Sequence, residues 1–327
     1  MTIVLSRSEV ANLLTLDECL TAVEAAFRLH GEGRIAPPGV LGMHSKGGGF
    51  HLKAAFLPLA RNYFATKVNG NFSRNMERFG MPAIQGIVFL ADAENGEPLA
   101  LMDSIEITIL RTGAATAVAA KHLARADSKT AAICGCGNQG RVQLRALSRV
   151  LALERVFAWD LDPARARACA KEWSGELGIE VSAAPDLAAA VSASDVCVTC
   201  TPARAPFLRR EDLRPGTFVA AVGADSPEKQ ELHAGVLASS KVVVDVLEQC
   251  AAIGELHHAI EEGLMTRDGV HAELGQIVAG RRPGRESEEE IIIFDSTGTA
   301  LQDAAAAAVV YEKAIRSGRG TALALGT

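Results

Sequence analysis

Residues 135–140 read Gly-Cys-Gly-Asn-Gln-Gly, a glycine spacing suited to holding the phosphates of a dinucleotide. Alone, G-x-G-x-x-G is a weak signal. Here residues 130–134 read as a strand and residues 139–150 as a helix, so the motif stands at a strand-to-helix turn. Gly135 would allow the tight turn, Gly137 the close approach of backbone to a pyrophosphate, and Gly140 the packing of helix on strand. The pyrophosphate would rest on the N–H groups at the helix start, at Asn138 and Gln139. About twenty residues on, Asp160 ends the strand-like RVFAW. A carboxylate there takes the ribose 2′-hydroxyl of NAD and repels the 2′-phosphate of NADP. Arg165 and Arg167 follow and read as solvent-facing. NAD is therefore the expected cofactor.

The seven cysteines are odd in number and have no regular spacing, which fits reduced thiols. Cys197 and Cys200 form a lone C-x-x-C in DVCVTCTP. A structural zinc site would want a second ligand pair, and none stands at a recognisable spacing. Both are read as small buried residues of a strand, and no metal is expected.

The elements that must position this chemistry follow from periodicity. Ser6 with Glu9, and Thr15 with Glu18, predict capping boxes that open two helices. Leu16, Leu20, Val23 and Phe27 keep helical spacing in the second. Residues of roughly 40–103 predict an antiparallel meander, with a turn at Gly47-Gly48-Gly49. Asn95-Gly96 predicts a hairpin turn, because both residues tolerate positive φ. A helix is expected over residues 104–125. Its half GAATAVAAKHLA is rich in small side chains, for close helix packing or for close approach to a ligand or the next domain. From Lys129 onward short apolar runs (TAAIC, RVFAW, IEV, DVCVT, TFVAAV, KVVVD, IIIFD) alternate with helical stretches, which predicts a doubly wound parallel sheet. Thr299 with Gln302 then caps an Ala-rich last helix, expected to return to the first domain. The fold class is α/β, with the parallel sheet inserted into an α+β domain. The boundaries are 1–124 and 299–327 for the outer domain and 125–298 for the inserted one. Residues 281–290 read as a charged, solvated loop.

Composition narrows the function classes. A chain of 327 residues divides into about two domains and needs no disulfide staples. With 33 basic against 39 acidic side chains its formal charge is −6, which disfavours nucleic acid as a partner. No apolar run reaches the roughly 20 residues of a membrane span. The N-terminal MTIVLSRSEV lacks the pattern of a signal peptide, so a cytoplasmic location is expected.

Five segments in order extend the reading: ATKVN at Lys67, ILRTGAATAVAAKHLA at Arg111, GCGNQG, VGADSPEKQEL at Asp225, and IFDSTGTALQD. With these the chain resembles the ornithine cyclodeaminase/μ-crystallin family over nearly its whole length. The resemblance implies a Rossmann domain inserted into a substrate domain that also forms a homodimer. It implies hydride transfer between nicotinamide and the carbon of a C–N bond beside a carboxylate, on an α-amino or α-imino acid. It puts Lys67 and Arg111 on the substrate carboxylate and makes Asp225 the acid/base. Lys67 is also kept among the catalytic candidates. Lys229 would bind cofactor or orient Asp225. Ser296 and Thr297 match the nicotinamide-side loop, and Thr201 and Val222 join the cofactor-binding candidates.

Chemistry supports these roles, and each has a structural alternative. Arg111 offers a planar fork that matches a carboxylate. Lys67 is a charge among apolar neighbours, an odd place without a partner. Either could instead make a salt bridge inside its own domain. Asp225 could cap a helix over SPEKQEL. Ser296 and Thr297 could simply lead into the cap at Thr299. The chain also departs from the family pattern. An Arg that many members carry after two prolines is absent from Pro37-Pro38-Gly39-Val40. Lys53, in FHLKAAF, stands on the neighbouring strand and is expected to supply that charge, or else to be a surface lysine. Strand alternation would put His51, Lys53 and Ala55 on one face. The leading expectation is an NAD(H)-dependent oxidoreductase of a small amino or imino acid. A cyclodeaminase that recycles NAD, and a non-enzymatic ligand-binding protein, are the alternatives.

Overall fold

Two capping boxes open the chain, as their spacing predicts. The computed structural model describes residues 1–325. After strand β1 (Thr2–Leu5) come helices α1 (Arg7–Leu13) and α2 (Leu16–Gly31). The Ser6 amide donates to the Glu9 carboxylate at 2.8 Å and the Glu9 amide returns to Ser6 Oγ at 3.4 Å. Thr15 and Glu18 repeat the exchange at 3.1 and 3.3 Å. Orphan donors of both helix starts are thereby satisfied. Cys19, Val23 and Phe27 then point α2 inward.

The meander follows as β2 (Gly39–Ser45), β3 (Gly48–Pro58), β4 (Asn62–Asn71), a short helix α3 (Asn75–Phe79), β5 (Ile84–Asp92) and β6 (Pro98–Asp103). Successive strands pair antiparallel. Asn95-Gly96 forms the expected hairpin turn between β5 and β6. Of the two residues only Gly96 has positive φ, at 78°. The loop is four residues long, closed by the Gly96 amide on Asp92 O at 2.9 Å. That length lets Asn95 stay out of the left-handed region, and its Oδ1 accepts from the Glu97 amide instead. β1 joins β6 in parallel, and a strand not expected from the sequence, β15 (Thr321–Leu323), lies antiparallel beside β1.

This seven-stranded sheet runs β15-β1-β6-β5-β4-β3-β2. One face is covered by the last helix, α12 (Ala300–Ser317), which packs on β3, β4, β5 and on α2. Its alanines at 304–308 are all buried, and their small side chains let the helix lie close to the sheet. The opposite face is apolar and open. Phe56 is 51% exposed, Phe50 44% and Ile87 47%, and every residue of β2 is exposed.

The second sheet carries the βα units. Its strands are β7 (Thr130–Cys134), β8 (Arg155–Trp159), β9 (Glu180–Ala183), β10 (Val196–Thr199), β11 (Phe218–Ala221), β12 (Lys241–Val244), β13 (Ala272–Glu273) and β14 (Ile292–Asp295). The helices are α4 (Ile105–Leu123), which precedes them, then α5 (Asn138–Leu147), α6 (Pro163–Leu177), α7 (Leu187–Ser192), α8 (Ala234–Ala238), α9 (Leu247–Ile253), α10 (Glu255–Glu261) and α11 (Leu274–Val278). All strand pairs are parallel, in the order β13-β12-β14-β11-β10-β7-β8-β9. The order reverses at β7, whose neighbours are β8 on one side and β10 on the other. That switch point is where open α/β sheets bind ligands.

The chain divides into two units, Met1–Arg111 with the part from Thr299 onward, and Thr112–Gly298. The first boundary falls inside α4, thirteen residues before the expected 124/125, because the helix runs on without a break across it. A second difference is the start of α12. Thr299 is its N-cap, but no side-chain capping bond forms, and the buried Thr299 hydroxyl has no partner. Gln302, the expected capping partner, is turned to Arg111 instead.

These two threonines make a test. Thr15→Val should cost about 1 kcal/mol, the usual loss for a working cap. Thr299→Val should cost nothing measurable, since a hydroxyl without a partner contributes no bond to lose. Urea unfolding midpoints of the two variants check the contrast.

Candidate functional site

In the second unit the glycine motif is built as a cradle. Gly135 follows β7 with φ 113°, a conformation open to glycine. A Cβ there would also meet Cys200 O at 3.0 Å. A Cβ on Gly140 would run into Gly135 O and Trp173, so the helix-to-strand approach requires its absence. Gly137 is the N-cap of α5 and makes no side-chain cap, which leaves the first-turn N–H groups of Asn138 and Gln139 for a ligand. Asp160 stands just past β8. Its Oδ2 accepts from the Cys136 amide at 2.9 Å and its Oδ1 from the Asp162 amide at 3.0 Å. Both oxygens are thus oriented and each keeps a lone pair. A cavity of about 640 Å³ opens here, lined by Gly135, Gly137, Asp160, Thr201 and the Trp159–Phe207 ring pair. Its volume is that of a small-ligand site. Arg165, expected to face solvent, also lines it. The residues present fit a dinucleotide.

Buried carboxylates shape the loops at this edge of the sheet. Glu231 accepts from the Thr201 amide at 2.6 Å, the Thr201 hydroxyl at 2.7 Å and the Gly223 amide at 3.0 Å. Glu255 in turn accepts from the Glu231 and Leu232 amides at 2.7 and 3.1 Å. Burial pushes both carboxyls up, and it raises Asp295 to about 7. Asp245 collects Ser296 Oγ at 3.1 Å, Thr297 Oγ1 at 3.2 Å and the Gly298 amide at 2.8 Å. The Ser296 and Thr297 side chains therefore face inward, and only their backbone is left for a cofactor. Val222 is tied through its amide to Thr199 O at 2.9 Å and does not line the cavity.

Asp225 follows β11 through Val222, Gly223 and Ala224. The helix expected over SPEKQEL does not form; residues 225–232 are a turn and irregular chain. The helix-cap alternative for Asp225 therefore falls. So does the one-helical-turn spacing of Lys229, which instead folds back through a turn whose amide donates to Ser226 O. Lys229 Nζ donates to Asp225 Oδ1 at 2.6 Å. Asp225 keeps 48% of its side chain exposed.

In the first unit the cations converge. Lys53 and Lys67 are cross-strand partners in β3 and β4, on the face toward α12, and are 6% and 3% exposed. Lys53 is thus an interior residue, not a surface one. Like charges so placed repel unless an anion joins them. Asp303 of α12 is that anion. Its Oδ1 accepts from Lys67 Nζ at 2.8 Å and from Arg111 Nε at 3.1 Å. Thr108 Oγ1 lies 3.3 Å from Lys67 Nζ, and Gln302 Oε1 accepts from Arg111 Nη1 at 2.8 Å. The salt-bridge alternative is realised for both cations, yet one carboxylate serves the two. Burial, helped by the Arg111 and Lys53 charges, pushes Lys67 down to about 7 against the pull of Asp303. Burial acts to raise Asp303, but Lys67 and Arg111 outweigh it and hold the carboxyl low.

Three contributors were not legible as such: Asp303, Gln302 and Glu231. A single acid in the Ala-rich QDAAAAAVV was the signal for Asp303. Gln302 carried a competing signal, the capping box. Glu231 stands in a polar run that reads as surface. All seven cysteines are free, and Cys200 donates its thiol to Cys134 O at 3.3 Å. Burial raises Cys200, and the Cys197 contact followed by burial raises Cys134, which keeps both protonated and poor metal ligands. The Cys134 and Cys197 thiols are 3.9 Å apart. His257, His258 and Glu261 on α10 do form a metal-type group, though His258 Nε2 already pairs with Lys229 O at 2.8 Å.

Comparison with known proteins agrees with this geometry. A family model described as ornithine cyclodeaminase/mu-crystallin matches residues 1–318. An alanine dehydrogenase of Archaeoglobus fulgidus is 40% identical over 322 residues, covering 98% of this chain and 97% of its own. Among solved structures, an archaeal alanine dehydrogenase dimer with bound NAD has a TM-score of 0.91 at 39% identity, covering 98% of both chains. The Δ1-pyrroline-2-carboxylate reductase of Thermococcus litoralis, in complex with NADH and L-proline, has a TM-score of 0.90 at 34% identity. It covers 98% of this chain and 100% of its own. The chain belongs to the ornithine cyclodeaminase/mu-crystallin family.

Proposed function

We propose that the protein is an NAD(H)-dependent oxidoreductase acting on the C–N bond of a small α-amino or α-imino acid. The observation that carries this reading is the buried Lys67–Arg111 pair sharing one carboxylate, a set of cations with charge left over for an anion. The second support is the glycine cradle with Asp160, which suits NAD. Bound there, the nicotinamide supplies or accepts the hydride. Lys67 and Arg111 hold the substrate carboxylate, and Lys53 adds a third positive charge in place of the Arg absent at Gly39. Asp225 exchanges a proton with the substrate nitrogen or with water, and Lys229 holds its carboxylate in place. In the reducing direction hydride goes to the imine carbon and a proton to nitrogen. A cyclodeaminase would need an acid for the distal ammonium of its substrate. Asp303, the carboxylate gathered at this site, already bridges two cations, which favours the oxidoreductase.

A homodimer and a cytoplasmic location belong to the same proposal. The open apolar face of the first sheet, with Phe50, Phe56 and Ile87, is the surface we assign to the dimer. The Ala-rich helix α12 is buried within its own unit. Seven free cysteines and NAD turnover suit a reducing compartment.

The deciding experiment is a panel of amino acids with NAD beside imines, or oxo acids plus amines, with NADH, read at 340 nm. Net NADH change with a small amino or imino acid is expected. Ammonia release without it would point to a cyclodeaminase, and tighter NADPH than NADH binding would overturn the role of Asp160. Asp225→Asn should lower kcat by about a hundredfold or more, the usual weight of a general acid–base, with NADH affinity retained. Carboxylate binding should also take up protons at pH 8. Lys67, titrating near 7 in the free protein, is mostly neutral there, and a bound anion favours its charged form. Calorimetry in buffers of different ionisation enthalpy measures that uptake, and its absence would contradict a Lys67–carboxylate contact.

A further inference from the structure

We propose that Asp303, together with Gln302 beside it, is the positioning residue of carboxylate recognition: it aims Lys67 and Arg111 as one rigid fork. The inference rests on the proposed function and says how that site is held.

The geometry is specific. Asp303 Oδ1 accepts from both cations, Lys67 Nζ at 2.8 Å and Arg111 Nε at 3.1 Å. One atom therefore sets the separation of the two donor groups. Gln302 Oε1 takes Arg111 Nη1 at 2.8 Å, which fixes the rotation of the guanidinium plane. Fixing two long side chains in advance removes the entropy that a free Lys and Arg would lose on binding. The arrangement is also held against local preference. Gln302 forgoes the capping box, and the Thr299 hydroxyl and the Gln302 Nε2 group are buried without partners. Asp303 Oδ2 is likewise buried without a partner. Helix-start chemistry alone would not produce this pattern; the demand of Arg111 and Lys67 for an anion and an acceptor does.

The ionisable groups facing Asp303 come from four other elements. Lys53 and Lys67 come from β3 and β4, Arg111 from α4, and Cys19 from α2. Burial raises Cys19 to about 12, so it stays a neutral thiol. Asp303 is then the carboxylate that Lys67 and Arg111 share, and it favours the charged form of Lys67.

The test compares Asp303→Asn, Asp303→Glu and Gln302→Met with the wild type, on the imino acid or amino acid that the panel identifies. NADH binding by fluorescence confirms that each variant is folded. Asp303→Asn should raise KM by roughly tenfold to a hundredfold, the effect of losing a hydrogen bond to a charged group. Its kcat should change less. The alkaline fall of kcat/KM, set by loss of the Lys67 proton, should move to lower pH. Asp303→Glu keeps the charge and should restore the pH limb even where KM stays high. Gln302→Met should raise KM by a few-fold and leave the pH limb in place. A merely structural Asp303 would lower the active fraction, with KM and the pH limb unchanged, and that result would overturn the proposal. If Asp303→Asn does not fold, the Gln302→Met and Asp303→Glu pair decides: normal KM in both would sink it. A wild type that turns over no amino or imino acid would sink the functional reading and this inference together. Turnover with an unmoved Asp303→Asn profile would sink the inference alone.

Discussion

Burying a positive charge is costly unless an anion accompanies it, and this protein buries three in one place. Lys53, Lys67 and Arg111 all lie inside the first unit, and Asp303 is the carboxylate that makes the cluster tolerable. That demand reaches across the chain. Asp303 is 236 residues from Lys67 and 192 from Arg111. The last helix must therefore return to the unit that the first 111 residues build, and everything between forms a separate body. The discontinuous organisation of the chain and the electrostatics of its buried cation cluster are one requirement seen at two scales. The alanines of α12 serve it as well, since their small side chains bring Asp303 within 2.8 Å of a strand lysine.

The second unit meets the opposite problem. It buries Glu231, Glu255, Asp245 and Asp295, and its partners for them are mostly backbone N–H groups and hydroxyls. Such donors stabilise a carboxylate without adding a cation, while burial pulls Glu231, Glu255 and Asp295 upward. What these acids hold is loop backbone. Glu231 ties the chain after β10 to the chain after β11. Asp245 ties the chain after β14. These are the carboxyl ends of the parallel strands, where the switch point opens. The loops at this edge of the sheet are thus tied down by buried acids.

Two helix starts show how an unmet hydrogen-bonding group divides into two uses. At α5 the cap is Gly137, and nothing from the chain satisfies the first-turn amides. The site is exposed, and a phosphate can complete it. At α12 the cap is Thr299, and its hydroxyl is buried without a partner because Gln302 has been drawn to Arg111. The first is an opening for a ligand. The second is a local sacrifice to a side-chain cluster.

Much of this was readable from the amino-acid sequence because it is local. Capping boxes at Ser6 and Thr15, the strand-to-helix glycine turn, the βα alternation and the two-fold periodicity that puts His51, Lys53 and Ala55 on one face all depend on residues a few positions apart. Family motifs added Lys67, Arg111 and Asp225, and a lysine among apolar residues already implied a partner somewhere. Tertiary structure alone decided who that partner is. Whether Gln302 caps its helix or serves Arg111, whether SPEKQEL coils into a helix, and which acid sits under the cations are contests between a local bond and a distant one. Burial decides them. An unpaired charge in the interior costs more than a missing cap or a short lost helix, so the long-range pairing wins, and sequence periodicity carries no record of it.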